Sequence, residues 1–477
     1  MKPEAMKHPR LLPAVPGLLL LAALPGCFTA KTYERPQLET QHLFRTDPLA
    51  DSLRLRTDSS SLATTSWKEL FTDPLLAGYI QQALNNNTDI RIALQRIDAA
   101  AAYVKQGKAA FAPTVSAGAG YSLSQNSRNT ALGQFITGAV DNYELDAGLS
   151  WEADIWGRIR SQQRAYGAAY LGTLEAHKAV QTRLVAAIAS SYFQLMALSE
   201  QMQVAREGIA SRSSSLSTTQ ALMQAGQVTS VAVNQMEAQV ADARITLLHL
   251  QDQEHLLENA LCLLLNEPPH AIPRGTLAAQ QIPAPLSTGV PSELLVNRPD
   301  VRQAELALVQ AFELTNVARA RFYPALTITA AGGLQSTAMD NWFSANSLFY
   351  NIAGNLLQPV LNQRQVRTAY EVAQAQQEQA LLTYRMALLT AGSDVSNALY
   401  DYQVQTASLG LAEQQTKALQ AAADQSEQLL ANGLANYLEV LTAQQGVLTA
   451  QLGLASTKGA RLQAIVSLYE ALGGGWR

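Results

Sequence analysis

The residues of this chain that could carry out chemistry are few and scattered. Its six histidines form no ligand cluster: His249 and His255 are six positions apart, whereas ligands on one helical face are three or four apart. The sequence has no nucleophile-elbow serine, phosphate-binding loop, zinc-protease helix or paired catalytic carboxylates in a suitable context. Cys262 lies in the apolar run ALCLLL, where we expect a buried thiol. We therefore expect no enzyme activity, metal or cofactor, and Cys27 is the remaining reactive candidate.

Cys27 follows a segment with the order of a secretion signal. Basic residues near the start precede an apolar stretch at 11–24, and a small-residue exit leads directly to the cysteine. The stretch LPGC resembles a bacterial lipobox, in which cleavage before the cysteine accompanies its acylation with diacylglycerol and an amide-linked chain such as palmitate. The alternative is a plain signal peptide with an incidental cysteine. Phe28, rather than Asp, follows Cys27, which by the same resemblance favours sorting to the outer membrane.

Composition excludes some classes of protein. The formal net charge is −4 and only 15% of residues are charged, which disfavours a nucleic-acid-binding protein. No stretch after the signal approaches 18 uninterrupted apolar residues, so we expect no transmembrane helix. The long polar tracts are rich in Gln, Ala and Ser rather than in Glu and Lys, which suits helices that face neighbours on one side and water on another.

The first half of the chain changes from a helical pattern to strand-like patterns. Helical periodicity extends from about Asp73 to Pro113. TVSAGAGYSLS and YELDAGLSWE then alternate apolar residues with small or polar ones, which is the period of a strand with two unlike faces. A polar loop of about twenty residues separates the two stretches in the printed sequence. These stretches predict a β-hairpin.

Two long helical arms follow the two strand-like regions of the chain. The first begins at Gly157, turns at Gly226 and ends near Asn266, and its leading part would be about 90–100 Å long at 1.5 Å per residue. The second extends from about Gln363 to Leu472 with an equivalent turn. Glycine at such a point ends a helix with positive φ before an antiparallel return.

The same order of helix, hairpin and long helical arm occurs twice in the sequence. Pro113 and Pro324 are 211 positions apart, and Gly226 and Gly433 are 207 apart, which indicates a tandem duplication. PALTITAAGGLQS and YNIAGNL supply the second pair of strands. We predict a signal peptide at 1–26, a lipidated leader at 27–66, a first repeat at 67–266 with a hairpin at about 113–152, a proline-rich crossing segment at 267–292, and a second repeat at 293–477 with a hairpin at about 324–359.

The strands indicate a membrane wall. An apolar face opposite a small or polar face suits a boundary between lipid and a water-filled lumen, although a single such hairpin could also lie on a soluble core. Four strands cannot close a barrel, and unpaired edges in lipid are costly. Closure therefore requires two copies with eight strands or three with twelve, and only twelve leave an appreciable bore.

Motifs spread over both repeats support one resemblance. YERP after the lipobox, SWEADIWGRIR, NRPDVRQAE, ARARFYPALTIT, GLANYLEVLTAQ and the terminal YEALGGGW together resemble the TolC-like outer-membrane factor family, in its lipoprotein branch that serves RND-type efflux pumps. The resemblance covers nearly the whole chain after Cys27. It implies an α+β membrane protein: a homotrimer with a twelve-stranded outer-membrane barrel, four strands per chain, continued by a long periplasmic helical barrel.

The resemblance also implies a function and partners. The trimer would be the passive exit duct of a tripartite efflux pump, coupled to a periplasmic adaptor and an inner-membrane RND-type transporter, embedded in outer-membrane lipid and not bound to nucleic acid. The alternatives are a type I secretion duct and a structural envelope lipoprotein whose strands stay soluble. The transported substrate stays open because the pump largely determines it.

The two glycine turns are the periplasmic tips that this resemblance implies, where the tunnel closes and the adaptor docks. Several relatives carry an acidic residue at the second tip, where this chain has Ala435; Asp424 and Glu427 are the nearby carboxylates. We treat these three residues as gate candidates. The expected adaptor-docking residues are Gln224, Gly226, Val228 and Ser230 on the first hairpin and Asn432, Gly433, Leu434, Asn436 and Tyr437 on the second.

Overall fold

The described chain is mostly helical and contains one β-sheet. The computed structural model describes residues 30–38, 43, 62–280 and 294–477. The predicted signal peptide, Cys27 and residues 281–293 of the proline-rich region lie outside this part. Among the described helices, none is both long and apolar enough to cross a bilayer.

The first half of the chain begins with short helices and ends with two long ones. Its elements are α1 (Trp67–Leu70), α2 (Pro74–Asn86), α3 (Thr88–Ala109), β1 (Thr114–Gln125), α4 (Ala131–Phe135), β2 (Ala139–Ala153), α5 (Arg158–Gln224) and α6 (Ser230–Leu265).

The second half has a closely similar order. Its elements are α7 (Leu294–Asn297), α8 (Pro299–Ala320), β3 (Ala325–Ser336), β4 (Leu348–Leu357), α9 (Gln365–Ala431) and α10 (Tyr437–Ala471). Helices α5 and α9 have 67 residues each. The starts of β1 and β3 are 211 positions apart, and the starts of α5 and α9 are 207 apart, so the equivalent elements keep the offsets found in the sequence.

Two details of the sequence prediction are wrong. The helical pattern from Asp73 is interrupted at Asn87, whose Oδ1 accepts the N–H groups of Asp89 (2.8 Å) and Ile90 (3.3 Å) and so begins α3 as a new helix. The loop between the first two strands is also shorter than twenty residues. It comprises 126–138, because the pairing of β1 with β2 continues beyond the alternating stretches, and it contains α4.

The four predicted strands form a single antiparallel sheet with the order β1-β2-β3-β4. Tyr121 pairs with Tyr143, and Leu145 pairs with Leu334. Because directly paired residues point to the same face, this register places the alternating apolar residues of all four strands on one side. Strands β1 and β4 each have one partner within the chain and form the two edges.

The described chain clusters into two compact units. Of the described residues, the first unit comprises 30–35, 101–169 and 308–379, and it contains the whole sheet. The second unit comprises the described residues within 36–38, 43, 62–100, 170–280, 294–307 and 380–477. In the second unit Phe71 contacts the rings of Phe193 and Tyr469, with centroids 6.2 and 6.0 Å apart. These rings connect the short N-terminal helices to α5 and α10.

Helices α5 and α10 also approach each other closely at a glycine. A Cβ atom built on Gly459 of α10 would lie 2.5 Å from the Cβ atom of Ala197 of α5, whereas a Cβ on Gly453 would meet nothing within 4 Å. The absence of a side chain at Gly459 therefore sets the separation of the two helices.

Alanine at these two glycines should have opposite effects on stability. Gly459→Ala forces α5 and α10 apart, and overpacking of this kind costs about 1–3 kcal/mol. Gly453→Ala only improves helix propensity, by up to about 1 kcal/mol. Thermal unfolding followed by circular dichroism should show a lower midpoint for Gly459→Ala and an equal or higher one for Gly453→Ala. Equal midpoints for the two variants would contradict this account of the contact.

Candidate functional site

The two turns between the long helices have the same backbone geometry. Gly226 has φ +73° and Gly433 has φ +70°, as predicted from their positions in the sequence. The N–H of Gly226 donates to the Met223 carbonyl (2.9 Å), and the next N–H donates to the Leu222 carbonyl (2.9 Å). The turn at Gly433 repeats both bonds at 3.0 and 2.9 Å. Both helices therefore end in a Schellman motif, which requires a left-handed residue at that point.

The two turns also lead into the next helix in the same way. Thr229 is the N-cap of α6 and Asn436 is the N-cap of α10, each three residues after its glycine. Val233 and Val440, each seven residues after the glycine, are buried at 7% and 5% exposure. The caps differ in one respect. The Asn436 Oδ1 accepts the Glu439 N–H (3.0 Å), whereas Thr229 makes no side-chain capping bond.

Most of the predicted docking residues are exposed. Val228 and Tyr437 are half-buried, and burial raises the pKa of the Tyr437 hydroxyl. Leu434 is 75% exposed although it is apolar. The remaining predicted docking residues have exposed side chains or glycine backbones, namely Gln224, Gly226, Ser230, Asn432, Gly433 and Asn436. The turns thus present polar groups and one large apolar side chain to their surroundings.

Two of the three gate candidates line a groove among the long helices. Asp424 accepts a hydrogen bond from Gln420 Nε2 (2.9 Å), and Glu427 accepts one from Gln444 Nε2 (2.7 Å). Both line a groove of about 190 Å³, to which Glu207 contributes a third carboxylate. Ala435 is not among its lining residues and lies half-buried in the second turn.

A buried arginine in this groove was not predicted from the sequence. Arg212 of α5 is 2% exposed, and burial lowers the pKa of its guanidinium while Asp242 acts in the opposite direction. It donates to Gln445 Oε1 of α10 (2.6 Å) and to the Gln239 carbonyl of α6 (3.4 Å). The sequence shows only an arginine among serines, and nothing in that pattern indicates burial.

Further hydrogen bonds extend this connection to α9. The Gln444 Nε2 of α10 donates both to Ser215 Oγ of α5 (3.2 Å) and to Glu427 Oε1 of α9 (2.7 Å). Together with the Arg212 bonds, they place the helices in the order α6, α5, α10, α9. Amide and guanidinium groups therefore hold the four helices together close to the turns.

The sheet has two chemically distinct faces. One face is apolar on every strand, and many of its side chains are open; Val115 is 71% exposed and Ile352 is 73% exposed. The opposite face carries Ser, Thr, Gly and Asn together with Glu144 and Asp146. A depression of about 310 Å³ is lined largely by residues of this polar face, with contributions from all four strands. The sheet is therefore curved, with its polar face on the concave side.

Aromatic side chains cluster at both ends of the apolar face. At one end Tyr143 contacts Tyr121 and Trp342, with ring centroids 5.2 and 5.7 Å apart. At the other end Trp151 lies on the apolar face of β2, and Trp156, which follows this strand, stacks on Tyr323 with ring centroids 4.8 Å apart. Tyr143 and Trp151 are both on this face and eight residues apart on β2, so about 27 Å of strand separates the two levels. Two aromatic levels at this spacing are typical of the interfaces of an outer-membrane barrel.

The motif SWEADIWGRIR forms the change from strand to helix. Arg158 makes a bidentate ion pair with Glu152, with N–O distances of 2.8 and 2.7 Å. The Asp154 carboxylate accepts the N–H groups of Ile159 (2.8 Å) and Arg160 (3.0 Å) and caps α5. The motif thus fixes where β2 ends and the long helix begins.

The unequal N-caps of the two turns give a testable difference. Asn436→Ala should release the first turn of α10, because loss of a side-chain cap costs about 1 kcal/mol. Thr229→Ala, at the equivalent position, should have a much smaller effect because that side chain makes no capping bond. Amide hydrogen exchange at 437–440 should accelerate several-fold in Asn436→Ala, and exchange at 230–233 should be little changed in Thr229→Ala. Similar acceleration in both variants would contradict the difference.

Comparisons with known proteins agree with this geometry. The sequence model of the family described as "Outer membrane efflux protein" matches residues 79–267 and 290–474. The chain is 33% identical over 434 residues to the pyoverdine export outer membrane protein OpmQ of Pseudomonas aeruginosa, covering 88% of this chain and 89% of that protein. It is 27% identical over 458 residues to the probable outer membrane lipoprotein SilC of Salmonella typhimurium, covering 95% and 96%.

A solved structure shows the same fold. The outer-membrane channel OprN superposes with a TM-score of 0.87 at 24% identity, covering 94% of this chain and 100% of that chain.

Proposed function

The chain belongs to the outer membrane efflux protein family, and we propose that three copies of it form one closed duct with a twelve-stranded barrel. It is an outer-membrane channel of an efflux system, in a family of channel proteins rather than of enzymes. The observation that carries the proposal is the sheet, which has one continuous apolar face, one concave polar face and two edges. Lipid would contact the apolar face, and solute would pass along the polar face.

Closure of the barrel follows from the two edges. Each backbone N–H or C=O left unpaired in hydrocarbon costs several kcal/mol, so an open sheet cannot stay in a bilayer. The β1 edge of one copy would pair with the β4 edge of the next, which is the same contact repeated around an axis. Two copies give eight strands, whose interior side chains fill the bore, whereas three copies give twelve and leave a channel.

The helices supply matching surfaces for the same closure. In the order α6, α5, α10, α9, the two outer helices each carry exposed apolar residues at helical spacing. On α6 these residues are Val231, Ile245, Leu248, Leu256 and Leu263, and on α9 they are Leu382, Met386, Leu389, Tyr400 and Leu411. The α9 stripe of one copy would cover the α6 stripe of the next, and three copies would surround a periplasmic tunnel.

The duplicated elements and the turns take defined roles in this proposal. The similar offsets of the strands and the long helices support a first repeat (67–266), a crossing segment (267–292) and a second repeat (293–477). The two Schellman turns would be the periplasmic tips, which dock an adaptor through their exposed residues. The groove carboxylates Asp424 and Glu427, together with the hydrogen bonds of Arg212 that connect the helices, would control closure of the tunnel at the tips.

Cys27 and the partners complete the proposal. The lipobox resemblance supports acylation of Cys27 as a second membrane attachment beside the barrel. An inner-membrane RND-type transporter would load the duct through the adaptor, with small solutes as the class of cargo. The exported compound named for OpmQ, pyoverdine, is an example of such a solute. A type I secretion duct is the less favoured reading because the named relatives are efflux and export channels rather than polypeptide secretion ducts.

Conductance and subunit number test the duct directly. Purified protein in detergent should have the mass of three chains and should conduct ions in a planar bilayer. The Cys27→Ala variant should still partition with membranes, because a closed barrel does not depend on the lipid. A soluble Cys27→Ala protein, or a monomer without conductance, would favour the structural lipoprotein instead.

A charge within the α9 stripe should weaken assembly. Leu389→Glu would place a carboxylate in the apolar contact between copies, and the trimer fraction at a fixed concentration should fall at least several-fold. Thr390→Glu, on the exposed next residue and about 100° around the helix from Leu389, is the matched control and should assemble normally. Light scattering after size-exclusion chromatography measures both. Equal assembly of the two variants would contradict the proposed helix contact.

A further inference from the structure

A buried side chain of α8, Asn316, binds the N-terminal leader. The backbone N–H of Lys31 donates to Asn316 Oδ1 (3.1 Å), and Asn316 Nδ2 donates to the Lys31 carbonyl (2.9 Å). The amide therefore binds both polar groups of one leader residue, as a neighbouring β-strand would. Asn316 is 2% exposed, so the α8 side of these bonds is shielded from water, whereas Lys31 is exposed.

The remaining hydrogen-bond donor and acceptor positions of the Asn316 amide are also occupied. Arg319 donates to Asn316 Oδ1 (3.1 Å), and Asn316 Nδ2 donates to Glu313 Oε2 (3.3 Å). Glu313 is itself 4% exposed and is held by Arg164 of α5 in a bidentate pair at 2.6 and 2.9 Å. The two donors and two acceptor positions of the Asn316 side chain are thus all occupied. The bonds to Arg319 and Glu313 therefore help to fix its orientation.

A second contact places the leader on the same face of α8. The ring of Tyr33 meets the ring of Phe312 edge-on, with centroids 5.6 Å apart. Phe312 precedes Asn316 by four residues, which is one helical turn. The leader therefore lies along α8 in a defined register rather than touching it at a single point.

The first repeat lacks this arrangement. At the offset of 211 positions that relates β1 to β3, Asn316 corresponds to Lys105, which is exposed. The positions of Glu313 and Phe312 correspond to Ala102 and Ala101. A chain with two similar halves has one leader, and only the half that meets it carries the buried amide, carboxylate and aromatic ring.

The location of Asn316 relates the leader to the membrane boundary. Asn316 lies four residues before the end of α8, and β3 begins five residues after that end, next to the Trp156–Tyr323 stack. Cys27 precedes Lys31 by four residues, so at most about 14 Å of chain separates them. The start of the strands is thus within reach of an acylated Cys27.

We propose that Asn316 is the positioning residue for the lipid anchor: its amide fixes the leader at Lys31 so that an acylated Cys27 meets the bilayer at the aromatic level of the same subunit. This inference rests on the proposed lipidated channel. A positioned anchor would promote trimer assembly, because a subunit held at a fixed height presents its sheet edges to the next copy in register.

The test combines loss of the Asn316–Lys31 hydrogen bonds with loss of the lipid anchor at Cys27. Lys31→Pro removes the N–H that binds Asn316 and leaves α8 unchanged, and Lys31→Ala, which keeps the N–H, is the matched control. Asn316→Leu removes the same hydrogen bonds by replacing the amide on α8. Each is made with Cys27 and with Cys27→Ala, and trimer formation in the outer membrane is followed after pulse labelling.

With Cys27 present, Lys31→Pro and Asn316→Leu should slow trimer formation several-fold, and Lys31→Ala should not. With Cys27→Ala, the same substitutions should change the rate less than twofold, because no anchor is left to position. Equal slowing in both backgrounds would overturn the proposal and assign Asn316 a structural role only. No slowing in either background would also overturn it.

A final measurement separates this inference from the proposed function. Purified Lys31→Pro protein, once assembled, should conduct in planar bilayers as the unsubstituted protein does. Normal conductance with unaltered assembly rates would remove the anchor-positioning role and leave the duct intact. Absence of conductance in the unsubstituted protein would instead contradict the proposed function as a duct.

Discussion

The backbone groups at the two edges of the sheet impose the constraint on which the rest of this structure depends. Four antiparallel strands with an apolar face fit a bilayer only if the outer groups of β1 and β4 find partners. Pairing β1 with β4 of the same chain does not provide them, because four strands are too few to close a barrel. The requirement for further copies therefore arises from hydrogen bonding, and the apolar stripes on α6 and α9 extend the same contact along the helices.

Local chemistry made much of this fold predictable from the sequence. Gly226 and Gly433 could be placed because a helix that turns back commonly needs a left-handed residue, and both have positive φ. The strands could be placed because alternation of apolar residues with small or polar ones at every second position does not produce a helical face. The break at Asn87 was missed, because a side chain that caps a helix inside an apolar repeat does not alter the periodicity.

The remaining contacts depend on residues far apart in the sequence. Asn316 and Lys31 are separated by 285 positions, and Arg212 and Gln445 by 233, so no local pattern pairs them. Both cases concern polar groups buried among helices, where an unmet hydrogen bond would be costly and the partner must be exact in position. Duplication hides such sites further, since Asn316 has a lysine at the equivalent position of the first half.

Amide hydrogen exchange on the membrane-inserted protein tests the central claim, closure through the sheet edges, most directly. In a closed barrel, the amides of β1 that point away from β2, and those of β4 that point away from β3, are bonded to neighbouring copies. They should then exchange as slowly as the amides of β2 and β3. Rapid exchange along β1 and β4, with protection confined to the two inner strands, would show that the edges stay open and would contradict the account.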